Sequence, residues 1–194
     1  MPYTQHDFGK LNDEEIIALY KSGEKEAFKK LIDRYTIPLY NFTARITNRI
    51  DTSDIVQEIF IKIWKNLNNF DREKASFKTW IFTIARNTVI DFSRKRERLL
   101  FSDMENNSEK GLSFFEENIP DENIIPFEAL QKLQDKEFLN NTLKKLLPDE
   151  NEILVLHYQE DMTFDEIGKV LNKSLNTVKS KHRRTLIKLR KMLD

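Results

Sequence analysis

The sequence predicts an all-α protein of two small helical domains joined by an extended acidic linker. Three observations lead there. Apolar residues recur at three- and four-residue spacing through most of the chain, the period of an amphipathic helix rather than a strand. Helix breakers are scarce, with 4 glycines and 5 prolines in 194 residues, and the prolines fall mainly between periodic segments. The periodicity lapses after Leu99, and Ser102 to Pro126 carries seven acidic residues against one basic, Lys110. That stretch is too long and polar for an ordinary loop in a compact domain, so it reads as a linker. The expected division is residues 1–98, a linker over 99–129, and residues 130–194.

Composition narrows the class further. Hydrophobic residues make up 39% and charged residues 33% of the chain. No apolar run approaches the roughly 20 residues of a membrane helix. Met1 to Gln5 lacks the basic and apolar regions of a secretion signal. Without cysteine there is neither a disulfide framework nor a thiolate metal site. A cytoplasmic protein without a cofactor is the expectation. The net charge of zero hides an uneven distribution: Lys169 to Lys191 holds nine Lys or Arg and no acid. A basic end beside an acidic middle suits segments with different partners.

In chain order, Asn12-Asp13-Glu14-Glu15 starts a helix, with Asn12 as cap and Glu15 placed to reach back. Ser22-Gly23 stops it. A second helix spans about Glu24 to Tyr35 with Phe28, Leu31, Ile32 and Tyr35 inward. Pro38 interrupts, and a further helix carries Leu39, Tyr40, Phe42 and Ile46. These read as structural bundle elements. Asp51-Thr52-Ser53 then caps a helix from Asp54 to Leu67, which buries Ile55, Val56, Ile59, Phe60, Ile63, Trp64 and Leu67. Asp54, Gln57, Glu58, Lys62 and Lys65 project outward, as a docking face for a basic partner or as a solvated surface.

After the polar loop Asn68 to Ala75, Ser76 to Arg98 reads as one long helix with Ser76 as its cap. Phe77, Trp80, Ile81, Ile84, Ala85, Thr88, Val89 and Phe92 form its inward stripe. Lys78, Thr79, Phe82, Thr83, Arg86, Asn87 and Arg94 lie away from that stripe. Such a surface suits phosphates and unstacked bases, and equally a plain solvated face. The helix ends on the basic run Arg94-Lys95-Arg96-Glu97-Arg98.

Helical spacing resumes at Phe127, with Leu130, Leu133, Leu139, Leu143 and Leu146. Leu147-Pro148-Asp149-Glu150 starts another helix, with proline in its first turn. Thr163 to Glu166 fits a capping box, Ile167 and Leu171 face inward, and Gly168 permits close approach. Asn172-Lys173-Ser174 makes a tight turn, Asn172 tolerating a left-handed backbone and Ser174 capping the next helix. That helix buries Val178, His182, Thr185, Leu186 and Leu189. It shows Asn176, Thr177, Ser180, Arg183 and Arg184, with Lys179 and Lys181 on the flanks. Two helices, a short turn and a basic second helix describe a DNA-binding helix-turn-helix. His182 sits on the inner stripe and reads as a packed residue. His6 and His157 lack metal-site spacing, and there is no P-loop, dinucleotide-binding glycine run or nucleophile elbow. The chemistry is binding, not bond-making.

These motifs match a family. Asp54-Ile55-Val56-Gln57-Glu58-Ile59-Phe60, then Phe77-Lys78-Thr79-Trp80-Ile81 and Ile84-Ala85-Arg86-Asn87, then Asp91 and Arg94-Lys95, resemble the second region of extracytoplasmic-function sigma factors. Leu147-Pro148 through Glu166-Ile167-Gly168 to Thr177-Val178-Lys179-Ser180-Lys181 and Arg184 resemble their fourth region. The resemblance covers about residues 10–98 and 130–193. It implies a dissociable subunit that directs bacterial RNA polymerase to promoters, usually restrained by an anti-sigma factor. Asp54, Gln57, Glu58 and Lys62 would then dock on the polymerase core. Asp71, Arg72, Ser76, Lys78, Thr79, Phe82, Arg86, Asn87 and Arg94 would recognise and melt the minus-ten element, a flipped base being captured in the loop. Thr163, Ser174, Asn176, Thr177, Lys179, Ser180, Lys181, Arg183 and Arg184 would read the minus-thirty-five element. The acidic linker would thread towards the active-site cleft of the polymerase. Asn172, Lys173, Asn176 and the pair His182-Arg183 depart from the family pattern, which puts the promoter sequence in doubt. No appended sensory domain is expected.

Two other classes are distinguishable. A stand-alone helix-turn-helix regulator needs a sensor pocket or a self-complementary face in residues 10–98. A recombinase or nuclease needs clustered carboxylates, or a nucleophilic Ser or Tyr with Arg partners.

Overall fold

The computed structural model describes residues 11–47, 51–104, 143 and 145–193. Every regular element among the described residues is helical, as the apolar spacing requires. The N-terminal half holds α1 (Asp13–Lys21), α2 (Lys25–Ile46), α3 (Thr52–Asn66), a 3-10 turn (Leu67–Asn69) and α4 (Phe77–Met104). The C-terminal half holds α5 (Pro148–Tyr158), α6 (Phe164–Leu171) and α7 (Leu175–Leu193).

Local chemistry sets most helix ends. The Asn12 side chain accepts the Glu15 amide at 2.9 Å while the Glu15 carboxylate accepts the Asn12 amide at 2.8 Å, the reciprocal box that closes two orphan donors. Gly23, at φ 110°, ends the α1 turn in a conformation that glycine adopts without strain. Asp51 precedes α3 in a left-handed conformation and its side chain makes no cap bond, so the expected Asp51 cap is not formed.

Each helix of the first half packs on its neighbour in sequence, α1 on α2, α2 on α3 and α3 on α4. Leu31, Leu39, Phe42, Ile55, Ile59, Phe77 and Ile81 are fully buried between them. Arg34 and Tyr35 of α2 both donate to Asp13 of α1, which pins the first helix down. The second half folds back on the first: α6 lies on α4 and α5 on α2. The apolar cluster is therefore continuous from Ile16 and Phe82 to Ile153, Leu156, Ile167 and Val178.

Several expectations are corrected. Pro38 does not divide the second helix; α2 runs unbroken through it. Proline removes one amide donor, but Leu31, Tyr35, Leu39 and Phe42 bury a single stripe across it and hold the two halves in line. Trp64, expected inside, is 53% exposed, and Leu186 is 40% exposed. The long helix continues beyond Arg98 to Met104. The expected linker beyond Met104, and the helix expected from Phe127 up to Leu139, lie outside the described residues.

Candidate nucleic-acid interface

The outer face of α3 carries Asp54, Gln57 and Glu58, all exposed. Lys62 departs from them: its Nζ lies 2.9 Å from Glu58 and donates to the Thr88 hydroxyl at 3.2 Å, so it ties α3 to α4. Ile61 and Trp64 join the exposed face, 50% and 53% open. Ile61 is not legible from spacing, because Ile59-Phe60-Ile61 is a continuous apolar run whose outward member the period does not single out. The face is thus acidic at its N-terminal end and apolar towards its C-terminal end.

Between α3, the 3-10 turn and the flank of α4 lies a cavity of about 310 Å³ lined by Lys62, Asn66, Asn69, Trp80, Ile84, Asn87 and Thr88. Trp80 and Ile84, expected in the core, are only half-buried because they wall this cavity. Its chemistry is one large ring and three side-chain amides, which pairs a stacking surface with donors and acceptors in the plane of a base. The sequence reading places Asn66, Asn69 and Trp80 in no site; the signal that marks the amides is the density of Asn around the end of α3.

The loop before α4 is braced by Asp71, whose carboxylate accepts the Glu73 amide at 3.0 Å and lies 3.4 Å from Lys74. The Glu73 amide, helped by Lys74, holds that carboxyl below the usual value. Arg72 pairs with Glu73 at 3.3 Å in the open. Ser76 then starts α4, its hydroxyl accepting the Thr79 amide at 3.2 Å as expected of a cap.

The next turns of α4 meet the C-terminal half. The Ser76 hydroxyl also donates to Glu166 at 3.0 Å, and the Thr79 hydroxyl reaches the same oxygen at 3.4 Å. Lys78 donates to the Glu160 carbonyl, with its Nζ 3.4 Å from the Glu160 carboxylate. Arg86 Nε donates to Glu152 at 2.9 Å, with the two side chains 18% and 5% exposed. Asn87 and Arg94 stay exposed. Thr79 and Phe82, placed on the outward face by the sequence, are buried: Thr79 lies under α6, and the Phe82 ring meets Phe42 of α2 edge-on at 5.3 Å. The reason is that α4 is covered by α2, α3 and α6, so its buried arc is wider than one stripe. Burial pushes the Glu160 carboxyl above its usual value, and Lys78 only partly opposes this. Burial would raise Glu166 too, but hydrogen bonds from Thr163, Ser76 and Thr79 outweigh it and hold the carboxyl low.

The helix-turn-helix is built as its residues demand. The Thr163 hydroxyl accepts the Glu166 amide at 3.3 Å and the Glu166 carboxylate accepts the Thr163 amide at 3.0 Å. Asn172 takes the left-handed conformation, φ 51°, and Ser174 caps α7 by accepting the Thr177 amide at 3.2 Å. Asn176, Lys179, Arg183 and Arg184 are exposed on α7, and their side chains make no hydrogen bond or ion pair with a described residue. Lys181 is different. Together with Lys173, whose Nζ lies 2.8 Å from the same carboxylate, it grips Asp149 at the start of α5. Burial alone would raise that carboxyl, but the two lysines outweigh it and hold it at about 2. Ser180 turns back to the Thr177 carbonyl at 3.0 Å. His182 packs beside His157 and Phe164, with its Nε2 3.0 Å from the Tyr158 hydroxyl. Burial, with the His157 ring, lowers its basicity. No group of three or more metal-ligating side chains occurs among the described residues, and no described helix is long and apolar enough to cross a membrane.

Comparison with known proteins follows this geometry. Residues 31–99 match the family described as Sigma-70 region 2, and residues 142–191 match Sigma-70, region 4. ECF RNA polymerase sigma factor SigW of Bacillus subtilis is 32% identical over 178 residues, spanning 89% of this chain and 92% of that protein. The ECF RNA polymerase sigma-E factor of Escherichia coli is 27% identical over 176 residues, 88% of each. Among solved structures, CnrH in complex with the cytosolic domain of CnrY is similar at a TM-score of 0.63 and 25% identity, covering 94% of this chain and 97% of that one. Sigma factor RpoE of Bartonella quintana, solved with the anti-sigma factor NepR, shares the fold at a TM-score of 0.64 and 20% identity, covering 86% and 96%.

Proposed function

Since the chain belongs to the extracytoplasmic-function sigma factors of bacterial RNA polymerase, we propose how its surfaces divide that family's work. The protein directs core polymerase to specific promoters and starts DNA melting. In our reading the first half, up to the end of α4 at Met104, docks on the core and separates the minus-ten strands, the stretch from there to 129 forms the linker, and 130–194 read the minus-thirty-five element. No bond is made or broken by the protein itself.

Core polymerase docks on Asp54, Gln57 and Glu58, extended by Ile61 and Trp64. An acidic rim beside an apolar patch supplies both steering and buried area. Lys62 acts here through its tie to Glu58 and Thr88. A base extruded from the minus-ten element enters the α3–α4 cavity, stacks on Trp80 and is read by the amides of Asn66, Asn69 and Asn87. Stacking on an aromatic side chain is worth roughly 1–3 kcal/mol per base, enough to offset the few kcal/mol that flipping one costs. Arg86, Lys78, Arg94 and the Ser76 hydroxyl hold the strand's phosphates. The exposed set Asn176, Lys179, Arg183 and Arg184 enters the major groove upstream. A protein inhibitor is a further proposed partner, by analogy with the complex of CnrH and the cytosolic domain of CnrY.

The cavity between α3 and α4 carries this reading, because it sets a large ring beside three side-chain amides, an arrangement for which a stand-alone regulator has no use. The test is reconstitution with core polymerase on a promoter library. Arg86→Ala with Asn87→Ala is expected to cut open-complex formation at least tenfold and leave core binding intact. Asp54→Ala with Gln57→Ala is expected to do the reverse. Loss of core binding on changing Arg86 and Asn87 would refute the division.

A further inference from the structure

The cavity that receives the base is not held by α3 and α4 alone, because α1 reaches its wall as well. The Lys21 ammonium, in the last turn of α1, donates to the Phe70 carbonyl at 3.3 Å, a contact between residues 49 apart in the chain. We propose that Lys21 is a positioning residue for strand separation: by fixing the Phe70 backbone it sets Asn69 and Trp80, two walls of the α3–α4 cavity, where an extruded base meets them. This rests on the reading of that cavity as the base-receiving site.

Phe70 is the residue on which that wall leans. It follows the 3-10 turn in an extended conformation, φ −62° and ψ 128°, with its amide closed on the Leu67 carbonyl at 3.2 Å. Asn69 lines the cavity and is joined to Phe70 by one rigid peptide, so a shift of Phe70 carries Asn69 with it. The buried Phe70 ring lies 5.4 Å from the Trp80 ring and meets Phe77 edge-on at 5.3 Å. Phe77 in turn lies 5.7 Å from Trp80. Trp80 therefore leans on both rings and lines the cavity with the surface they leave open. α1 holds the same cluster at its other end, since Tyr35 donates to Asp13 and meets Phe77 edge-on at 5.7 Å.

A lysine at the end of a helix has an ordinary use, because the negative pole of the helix favours a cation. That use sets no direction for the side chain. Here the ammonium passes beyond α1 to one carbonyl, at the point where the 3-10 turn gives way to the polar loop and no helix stiffens the backbone. A charged donor makes the stronger kind of hydrogen bond, suited to holding such a point. The Glu73 amide is the chief reason the Asp71 carboxyl is held low, and Lys74 and Lys21 add to it, so the Lys21 charge also lies close to the first residue of the loop. Lys21 is itself exposed and lines no part of the cavity; its effect on a base passes through Phe70.

The experiment uses the full chain bound to core polymerase, on one promoter drawn from the library, with 2-aminopurine placed at each minus-ten position in turn. Lys21→Met keeps the stem and removes the donor, Lys21→Arg keeps a charged donor, and Asn69→Ala removes one wall of the cavity. Lys21→Met is expected to slow strand separation on the order of fivefold, an ordinary size for coupling between touching groups. Core binding, closed-complex affinity and the salt dependence of that affinity are expected to stay at the parent's values, and Lys21→Arg to restore the rate. Added to Asn69→Ala, Lys21→Met is expected to slow separation by less than it does in the parent, because both changes act on one wall. A lower urea midpoint with strand separation at the parent's rate would leave Lys21 a stability residue only and overturn the proposal. A salt slope reduced by about one would make Lys21 a phosphate contact and overturn it too. If Asn69→Ala slows separation and Lys21→Met does not, the brace is overturned and the reading of the cavity stands. If Asn69→Ala leaves the rate unchanged, the reading of the cavity fails and the proposal with it.

Discussion

Gly168 lies where the turn of the helix-turn-helix folds back on α6: a Cβ built there would sit 2.7 Å from the Lys173 carbonyl oxygen, a backbone atom that cannot swing aside. Gly168→Ala is therefore expected to destabilise the C-terminal half by about 1–3 kcal/mol, the usual cost of an overpacked site, as read by urea unfolding. Asp149 gives a second residue-scale expectation. Its carboxyl is held at about 2 in the folded protein against an ordinary 3.8, so its contribution is present above that ordinary value and is lost as the pH falls from about 3.8 towards 2. Asp149→Asn is expected to flatten the stability profile over that window and free Lys173 and Lys181, which a pH series of urea midpoints measures. The capping boxes, the left-handed Asn172 and the Gly168 approach were legible because each is decided within a few residues. The Asp149–Lys181 pair was not, since it joins two helices 32 residues apart and no local pattern announces it.

At the scale of the helix, the spacing rules place every described α-helix, but they divide α2 at Pro38, miss the 3-10 turn and misjudge how wide the buried arcs are. Phe82 falls off the main stripe of α4 and so is expected outward, but α2 covers that side as well. Trp64 continues the α3 stripe and so is expected inward, yet no described element covers the end of that helix and the ring stands 53% open. The two errors have one cause: period gives the direction of a side chain, and only tertiary neighbours decide whether that direction is covered. Trp64→Ala separates the alternatives. A core tryptophan would cost about 3–5 kcal/mol. An exposed docking residue should change stability by less than about 0.5 kcal/mol while weakening association with core polymerase. Continuity of α2 through Pro38 makes the same point in the other direction. Replacing Pro38 with alanine should restore the missing amide bond and stabilise the protein by about 1 kcal/mol or more, visible as a higher urea midpoint, because the buried stripe already enforces the helix that proline opposes.

For the whole molecule, the two-part division was readable from the interrupted periodicity, whereas the way the parts meet was not. A neutral chain with a basic C-terminal end conceals that the acids nearest α4 sit in α5 and α6, ahead of that basic run. Composition therefore pointed to a DNA-binding end, and the folded chain adds that its upstream flank is acidic and turned towards α4. The continuity of the apolar cluster across the two halves, from Ile16 and Phe82 to Ile153 and Val178, has a consequence for unfolding. Because α6 lies on α4 and α5 on α2, neither half can lose its helices without exposing apolar surface of the other, so one cooperative transition is expected. Both tryptophans, Trp64 and Trp80, lie in the first half, so their fluorescence follows that half while far-UV circular dichroism follows all the helices. The two urea curves are expected to coincide; a fluorescence midpoint separate from the dichroism midpoint would show that the halves unfold independently.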